Sequence, residues 1–274
     1  MRKSRRSRLL RATLLVLLAA FALFPLLWMV SVSLMAPGEA RQFPPPLLPD
    51  SPGFSAYRAL FETTGIARYF LNSMFIASLG TLLSLMFNAT AGYAFAKLRF
   101  KGRDRIFQLL LAALVIPAQV TMLPLFLMLK EIGLINTFAG VLIPVATSIF
   151  GIFLVRQYAL SIPDELLEAA RIDGASEGRI FLQIVVPVLT PILVTLALFT
   201  FLGTWSDFMW PLIILTDQEK YTLPVAIAAL SREHVQDNEM MMAGAVLTVL
   251  PVLLLFLVLQ RYYMQGLLAG SVKG

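Results

Sequence analysis

Glu168, Ala169, Ala170, Asp173 and Gly174 belong to a charged stretch, Pro163-Asp164-Glu165-Leu166-Leu167-Glu168-Ala169-Ala170-Arg171-Ile172-Asp173-Gly174, set between long apolar runs. The residue types there suit docking rather than covalent chemistry. Pro163 fits the first helical position, Asp164 and Glu165 fit the positive end of a helix dipole, and Gly174 fits the left-handed conformation that stops a helix. The pattern predicts a helix of about three turns. Leu166, Ala169, Ala170 and Asp173 share one face of it, where the two alanines let another backbone approach closely. So short a helix is marginal alone in water, so another surface is expected to hold it.

Covalent chemistry finds few candidates elsewhere. His234 is the single histidine and cysteine is absent, which excludes a thiolate metal site and leaves no pair of histidines for a metal or a proton relay. No lysine follows a glycine, so the phosphate-binding loop of the G-x-x-x-x-G-K-[ST] type is missing and the chain is not its own ATPase by that route. Neither a zinc-protease helix motif nor a nucleophile elbow is present. Asp207 lies beside Trp205 with no identifiable partner to tune it, and reads as a solvated charge at a helix end. No catalytic residue, metal or cofactor is expected.

The elements that carry these residues are membrane spans. Of 274 residues 58% are hydrophobic and only 14% charged, with a mean hydropathy of +0.80, a composition outside the range of soluble domains. Six uncharged runs are each long enough to span: 12–34, 69–96, 106–129, 132–155, 180–206 and 240–260. The first lacks the short apolar core and nearby cleavage site of a secretory signal and is expected to remain, kinked at Pro25. A polar loop with Pro44-Pro45-Pro46 follows, then a short helix from Ser55 to Thr63. Phe208 to Thr216 is uncharged but too short to cross, and is expected at the outer interface or part-way into the bilayer. The fold class read from this pattern is an all-α membrane protein with six transmembrane helices and a cytoplasmic docking helix.

Orientation follows from the cations. Six Lys and Arg at the N-terminus, five between 97 and 105, three between 156 and 179 and two at the C-terminus lie on one side, and the other side carries six of the 22. Both termini and the docking stretch are therefore expected in the cytoplasm. The net charge of +6 sets orientation, and no nucleic-acid partner is expected. The organisation expected is a basic N-terminus at 1–11, one six-helix domain at 12–263 with a cytoplasmic loop at 156–183, and a cytoplasmic tail at 264–274.

All six runs lack Asp, Glu, Lys, Arg and His. Proton-coupled carriers keep ionisable groups near the midplane, so their absence argues against that energy source. Polar residues inside the runs, chiefly Asn72, Asn88, Gln119 and Thr121, suit a solute path, and hydrogen bonding between helices accounts for them equally well. Trp205 and Trp210 suit stacking on a sugar ring or anchoring at the interface. A chain that spans the membrane, has no energy source of its own and presents a short helix to the cytoplasm reads as a channel-forming subunit driven by a partner.

The docking stretch resembles the Glu-Ala-Ala signature of ABC importer permeases. Glu168-Ala169-Ala170 leads to Gly174 and then to Ile184-Val185-Val186-Pro187, with Val186 where the signature has Leu. Asn72-Ser73, Ala94-Phe95-Ala96, Gly133-Leu134-Ile135-Asn136-Thr137, Trp205-Ser206-Asp207-Phe208 and Val272-Lys273-Gly274 extend the resemblance along the chain to the second permease subunit of maltose-type carbohydrate importers. It implies the type I ABC importer permease fold, with Leu166, Glu168, Ala169, Ala170, Asp173 and Gly174 forming a coupling helix in a cleft of the ATPase. It implies a heterodimer with a second permease, two copies of a cytoplasmic ABC ATPase and an extracytoplasmic solute-binding protein delivering a sugar. It also places the loop from Asp207 to Glu239 towards the binding protein and the C-terminal tail near the ATPase. Two alternatives stay open at this point: the same machinery carrying a glycerol-phosphate or polyol solute, and a self-contained channel or facilitator.

Overall fold

The structure, a computed structural model, describes residues 5–233 and 237–271, with side chains for 11–230, 237–258 and 260. His234 and the tail Val272-Lys273-Gly274 lie outside the described residues. The described chain is almost wholly helical. In order the helices are α1 Arg5–Ser33, α2 Ser55–Thr63, α3 Ile66–Lys97, α4 Arg103–Ala113, α5 Ala118–Glu131, α6 Phe138–Val145, α7 Ile149–Ala159, α8 Asp164–Ile172, α9 Glu177–Ile180, α10 Val186–Trp205, α11 Met209–Ile214, α12 Leu223–Glu233 and α13 Asn238–Ser271. Among the described residues, five segments are long and apolar enough to cross a membrane: Arg11–Ser33, Ile66–Lys97, Phe138–Ala159, Glu177–Trp205 and Asn238–Val258. The pair α4 and α5 makes a sixth if it counts as one span.

That pair departs from the continuous helix expected over 106–129. α4 and α5 meet at 106° across Leu114 to Pro117. Pro117 is extended, with φ −60° and ψ 135°, and the last turn of α4 closes with short-range bonds from Leu114, Val115 and Ile116 to Leu111, Ala112 and Ala113. Proline has no N–H and drives its predecessor out of the α region, so the helix ends before it. The run expected over 132–155 is shortened and broken as well. Gly133 and Asn136, at φ 71° and 59°, turn the chain before α6. The α6–α7 junction opens at 146–148, where the Ser148 hydroxyl accepts from Gly151 N and caps α7.

The chain divides into two compact units. One takes the chain up to Ala67 together with Ala226–Pro251. Its loop before α2 is organised by buried acids. Glu39 accepts from Ala36 N and Asp50 N at 2.8 and 2.7 Å, and Glu239 accepts from Ala40 N at 2.9 Å. The other unit takes Arg68–Val225 with the chain from Val252 and contains the docking stretch. Close packing there rests on small residues. A Cβ placed on Gly92 would meet Val155 Cγ1 at 2.6 Å, so α3 lies directly against α7 at that point.

Candidate coupling site

α8 forms as its sequence demands and is closed at its C-terminal end. Pro163 takes the capping position just outside the helix, one residue earlier than expected, with Asp164 and Glu165 in the first turn. At the other end Gly174, at φ 81°, lets Ala175 N reach Ala170 O and Gly174 N reach Arg171 O, both at 3.0 Å, which together form a Schellman closure. Ser176 then accepts from Arg179 N and opens α9. A π-helical turn, Phe181–Val185, joins α9 to α10. Pro187 explains it: without a proline N–H the Gln183 carbonyl loses its ordinary helical donor, and the wider turn accommodates the ring.

The side of α8 that meets the rest of the chain is not the face the spacing emphasised. Leu167 is 1% exposed and joins a cluster with Tyr93, Val155, Ala159, Ile162 and Ile180. Ala170 packs partly against the same cluster. Burying Leu167 is worth about 2–3 kcal/mol. Leu166 at 45% and Ile172 at 86% exposure face outward, with Glu165, Glu168, Ala169 and Asp173 also exposed. The outward surface of α8 thus sets Leu166, Ala169 and Ile172 among carboxylates.

Two polar ties bind the segment to α3. Lys97 Nζ, on a side chain 6% exposed, donates to Ile162 O and to Asp164 Oδ1, each at 2.6 Å. The Tyr93 hydroxyl donates to Glu177 Oε2 at 2.9 Å while Arg171 Nε donates to Glu177 Oε1 at 2.6 Å. Tyr93 and Lys97 are one helical turn apart on α3, so one face of α3 holds both ends of the loop. The hydrogen bond and charge of Lys97, then the charge of Arg99, keep the Asp164 carboxyl below its usual 3.8, and Glu177 pushes the Arg171 guanidinium upward. Sequence reasoning connected α8 to the fifth span alone. The link to α3 was missed because nothing in residue spacing says which side chains of a span meet a loop some 65 residues away.

The residues read as a solute path are not gathered in one place. Asn72 donates to Glu219 O and Tyr221 O, both at 3.0 Å, and so holds the loop after α11. Asn88 is fully buried; its oxygen accepts from Ser148 N at 3.0 Å and Thr147 Oγ1 at 3.3 Å, and its amide donates to Ser84 Oγ. It thereby satisfies the backbone opened at the α6–α7 break. Trp205 is buried between Phe70 and Phe201. Trp210 is buried too, and its Nε1 donates to Gly140 O at 3.2 Å. That carbonyl is the one Pro144 leaves without a helical donor. Gln119 is exposed and lines a cavity of about 490 Å³ with Met122, Phe126, Met209 and Ile213. A second cavity, of about 300 Å³, has a mainly apolar wall that includes Val145, Leu196 and Phe199, with Ser84, Ser148, Thr200 and Thr204 set into it. Hydroxyls four residues apart, as at 200 and 204, were the available signal for it.

Asn136 adds a staple that the spacing did not show. Its oxygen accepts from Thr216 N and Asp217 N, and its own N–H donates to Ile214 O, fastening the turn before α6 to the end of α11. Short α11, expected at the interface or part-way into the bilayer, packs with Trp210 and Ile214 inside a cluster containing Ile76, Leu129 and Val141.

Comparison with known proteins adds the decisive observation. The model of the family described as binding-protein-dependent transport system inner membrane component matches residues 80–268. The chain belongs to this family. As a permease it is 37% identical over 264 residues to the arabinooligosaccharides transport system permease protein AraQ of Halalkalibacterium halodurans, covering 94% of this chain and 93% of that one. It is 34% identical to the lactose transport system permease protein LacG of Rhizobium radiobacter, covering 93% of each. A crystal structure of a bacterial ABC transporter involved in the import of the acidic polysaccharide alginate superposes with TM-score 0.85 at 27% identity, covering 95% of this permease and 99% of that chain. The fold is therefore that of an ABC importer permease, a multi-pass inner-membrane protein, as the resemblance implied.

Proposed function

We propose that this chain is the permease subunit of an ATP-driven importer, forming with a second permease the pathway for a sugar that an extracytoplasmic binding protein delivers. Full-length similarity to permeases named for arabinooligosaccharide and lactose systems carries the sugar reading and favours it over a polyol or glycerol-phosphate solute. Hydrolysis of ATP falls to a partner ATPase, which docks on α8 from the cytoplasm. Both termini lie on that side, and residues 12–263 act as one permease domain between the basic N-terminus and the tail.

The observation that supports the coupling role is the contrast between the two sides of α8. The inner side is fixed to α3 and α9 by Leu167, Lys97 and Glu177, and α9 leads through the π-helical turn into α10, while Leu166, Glu168, Ala169, Ile172 and Asp173 are left outward for a partner. Closure of the ATPase pair moves α8 as a rigid lever; α3 and α10 follow, and the path opens to the outer side. Gly174 shapes the bend that makes the lever stiff. The cavity that holds Ser84, Ser148, Thr200 and Thr204 forms part of the solute path, with Gln119 on a separate wall. Asn72, Asn88, Trp205 and Trp210 hold the walls in shape. Purification from native membranes tests the whole: a stable partner with a phosphate-binding loop is expected, and a lone chain active in solute flux without ATP would refute it.

A further inference from the structure

The segment running from the last residue of α3 into the first turn of α4 carries Lys97, Arg99, Lys101, Arg103 and Arg105 against the single acid Asp104. Two of the five cations are engaged. Lys97 holds Ile162 O and Asp164, and Arg103 donates to Asp104 and to Leu98 O. Arg99, Lys101 and Arg105 are exposed and make no hydrogen bond or ion pair among the described residues. Setting membrane orientation requires only that such charges be present. Here two of them also border a concave surface: Arg99 and Arg105, with Phe100, Gly102, Arg103 and Asp104, line a cleft of about 530 Å³ beside Lys101. One turn further along α4, Ile106 and Leu109 are exposed, as is Phe100 beside the arginines. Cations bordered by exposed apolar side chains on the next helical turn match the boundary between headgroup and acyl chain.

We propose that this cleft binds the phosphate of an anionic phospholipid, with Arg99, Lys101 and Arg105 around the headgroup and Ile106 and Leu109 along the acyl chains. The apolar flank favours a lipid over an acidic protein surface, which would need no exposed Leu109. The position has a consequence for coupling, because Lys97 on the same segment holds Asp164 at the start of α8. A bound lipid sits beside the lever and adds negative charge next to its N-terminal tie.

The test takes the chain purified from membranes with the subunits that accompany it. It is incubated with phosphatidylcholine vesicles lacking or containing an equal amount of phosphatidylglycerol, and retained lipid is read by native mass spectrometry. Selective retention of phosphatidylglycerol is expected. Each basic residue at an anionic surface is worth about fivefold in affinity, so the combined Arg99→Gln, Lys101→Gln and Arg105→Gln variant should bind it about a hundredfold more weakly. Arg99→Lys with Arg105→Lys keeps the charge and should retain it. Equal retention of both lipids by the unsubstituted protein, which needs no variant to assemble, overturns the proposal. So does unchanged retention by the triple variant, complete displacement by inorganic phosphate alone, or loss of an accompanying subunit while the lipid stays.

Discussion

Replacing Gly174 isolates the stiffness of the lever from every other property of the loop. The glycine sits at φ 81° and a Cβ built on it meets nothing within 4 Å, so a substitution is opposed by backbone conformation alone. A β-branched residue held in that region costs about 1–3 kcal/mol, whereas asparagine tolerates it well. At about 1.4 kcal/mol per factor of ten, Gly174→Val should raise the population of loops with an opened Schellman closure by roughly 5- to 150-fold. Gly174→Asn should leave it nearly unchanged. The assay pairs transport-coupled ATP hydrolysis in the reconstituted complex with hydrogen exchange at the amides of Gly174 and Ala175. Valine should speed exchange at both amides and uncouple hydrolysis from transport, and asparagine should do neither. If valine accelerated exchange and coupling stayed intact, the stiff bend would not be what transmits the motion.

Further expectations follow from individual contacts. Lys97→Met removes a charged hydrogen bond to Ile162 O, worth about 1.5–3 kcal/mol, and should lower the thermal midpoint in detergent; an unchanged midpoint would remove α3 from the lever. Trp210→Phe leaves Gly140 O unpaired at a cost of about 1–3 kcal/mol, and Pro144→Ala in the same chain should recover it by restoring a helical N–H, which a double-mutant thermal melt reads directly. The two perturbed aspartates respond oppositely to pH. Asp164 is held below 3.8, so its contribution is present above that value and lost only as pH falls through its lower folded value. Coupling should therefore show no acid limb from this pair between pH 5 and pH 8. Burial raises the Asp207 carboxyl above 3.8 against opposing bonds from Trp210 and Met209, so stability falls as pH rises from 3.8 through the raised value. Asp207→Asn should raise the thermal midpoint at neutral pH and have no effect in strong acid. Thr200→Val with Thr204→Val should raise the transport KM without changing subunit assembly; an unchanged KM would remove that cavity from the path.

Legibility in the residues varied with how local the cause was. α8 and α2 were readable to within a residue, because Pro163, the two acids and Gly174 act within one turn of themselves, and Ser55 to Thr63 is bracketed by loop residues. The spans were readable as apolar runs, and the family resemblance agreed with them. The breaks were not. Pro25, Pro124 and Pro251 all lie inside helices that continue, while Pro117 ends one at 106°. Which outcome a proline has depends on whether a neighbour meets the freed carbonyl, as Trp210 does for Pro144, and that neighbour is remote in sequence. Periodicity likewise grouped Leu166, Ala169, Ala170 and Asp173 as a face, but Ala170 turns partly inward, and the pattern could not say that Leu167 would be the side chain buried. Asn88 was readable as a polar residue in an apolar run, and Trp210 as a stacking or anchoring side chain. Their bonding to backbone rather than to solute required the fold.

The docking role of α8 is most directly tested by cross-linking, since the chain contains no cysteine and offers a clean background. Ala169→Cys and Leu166→Cys place thiols on the outward side of α8, while Leu167→Cys places one on the buried side. In the assembled complex the first two should cross-link to the subunit bearing the phosphate-binding loop, with a yield that changes on adding ATP, and the third should not. Cross-links from Ala169→Cys and Leu166→Cys to any other subunit, or a yield indifferent to ATP, would contradict the coupling assignment.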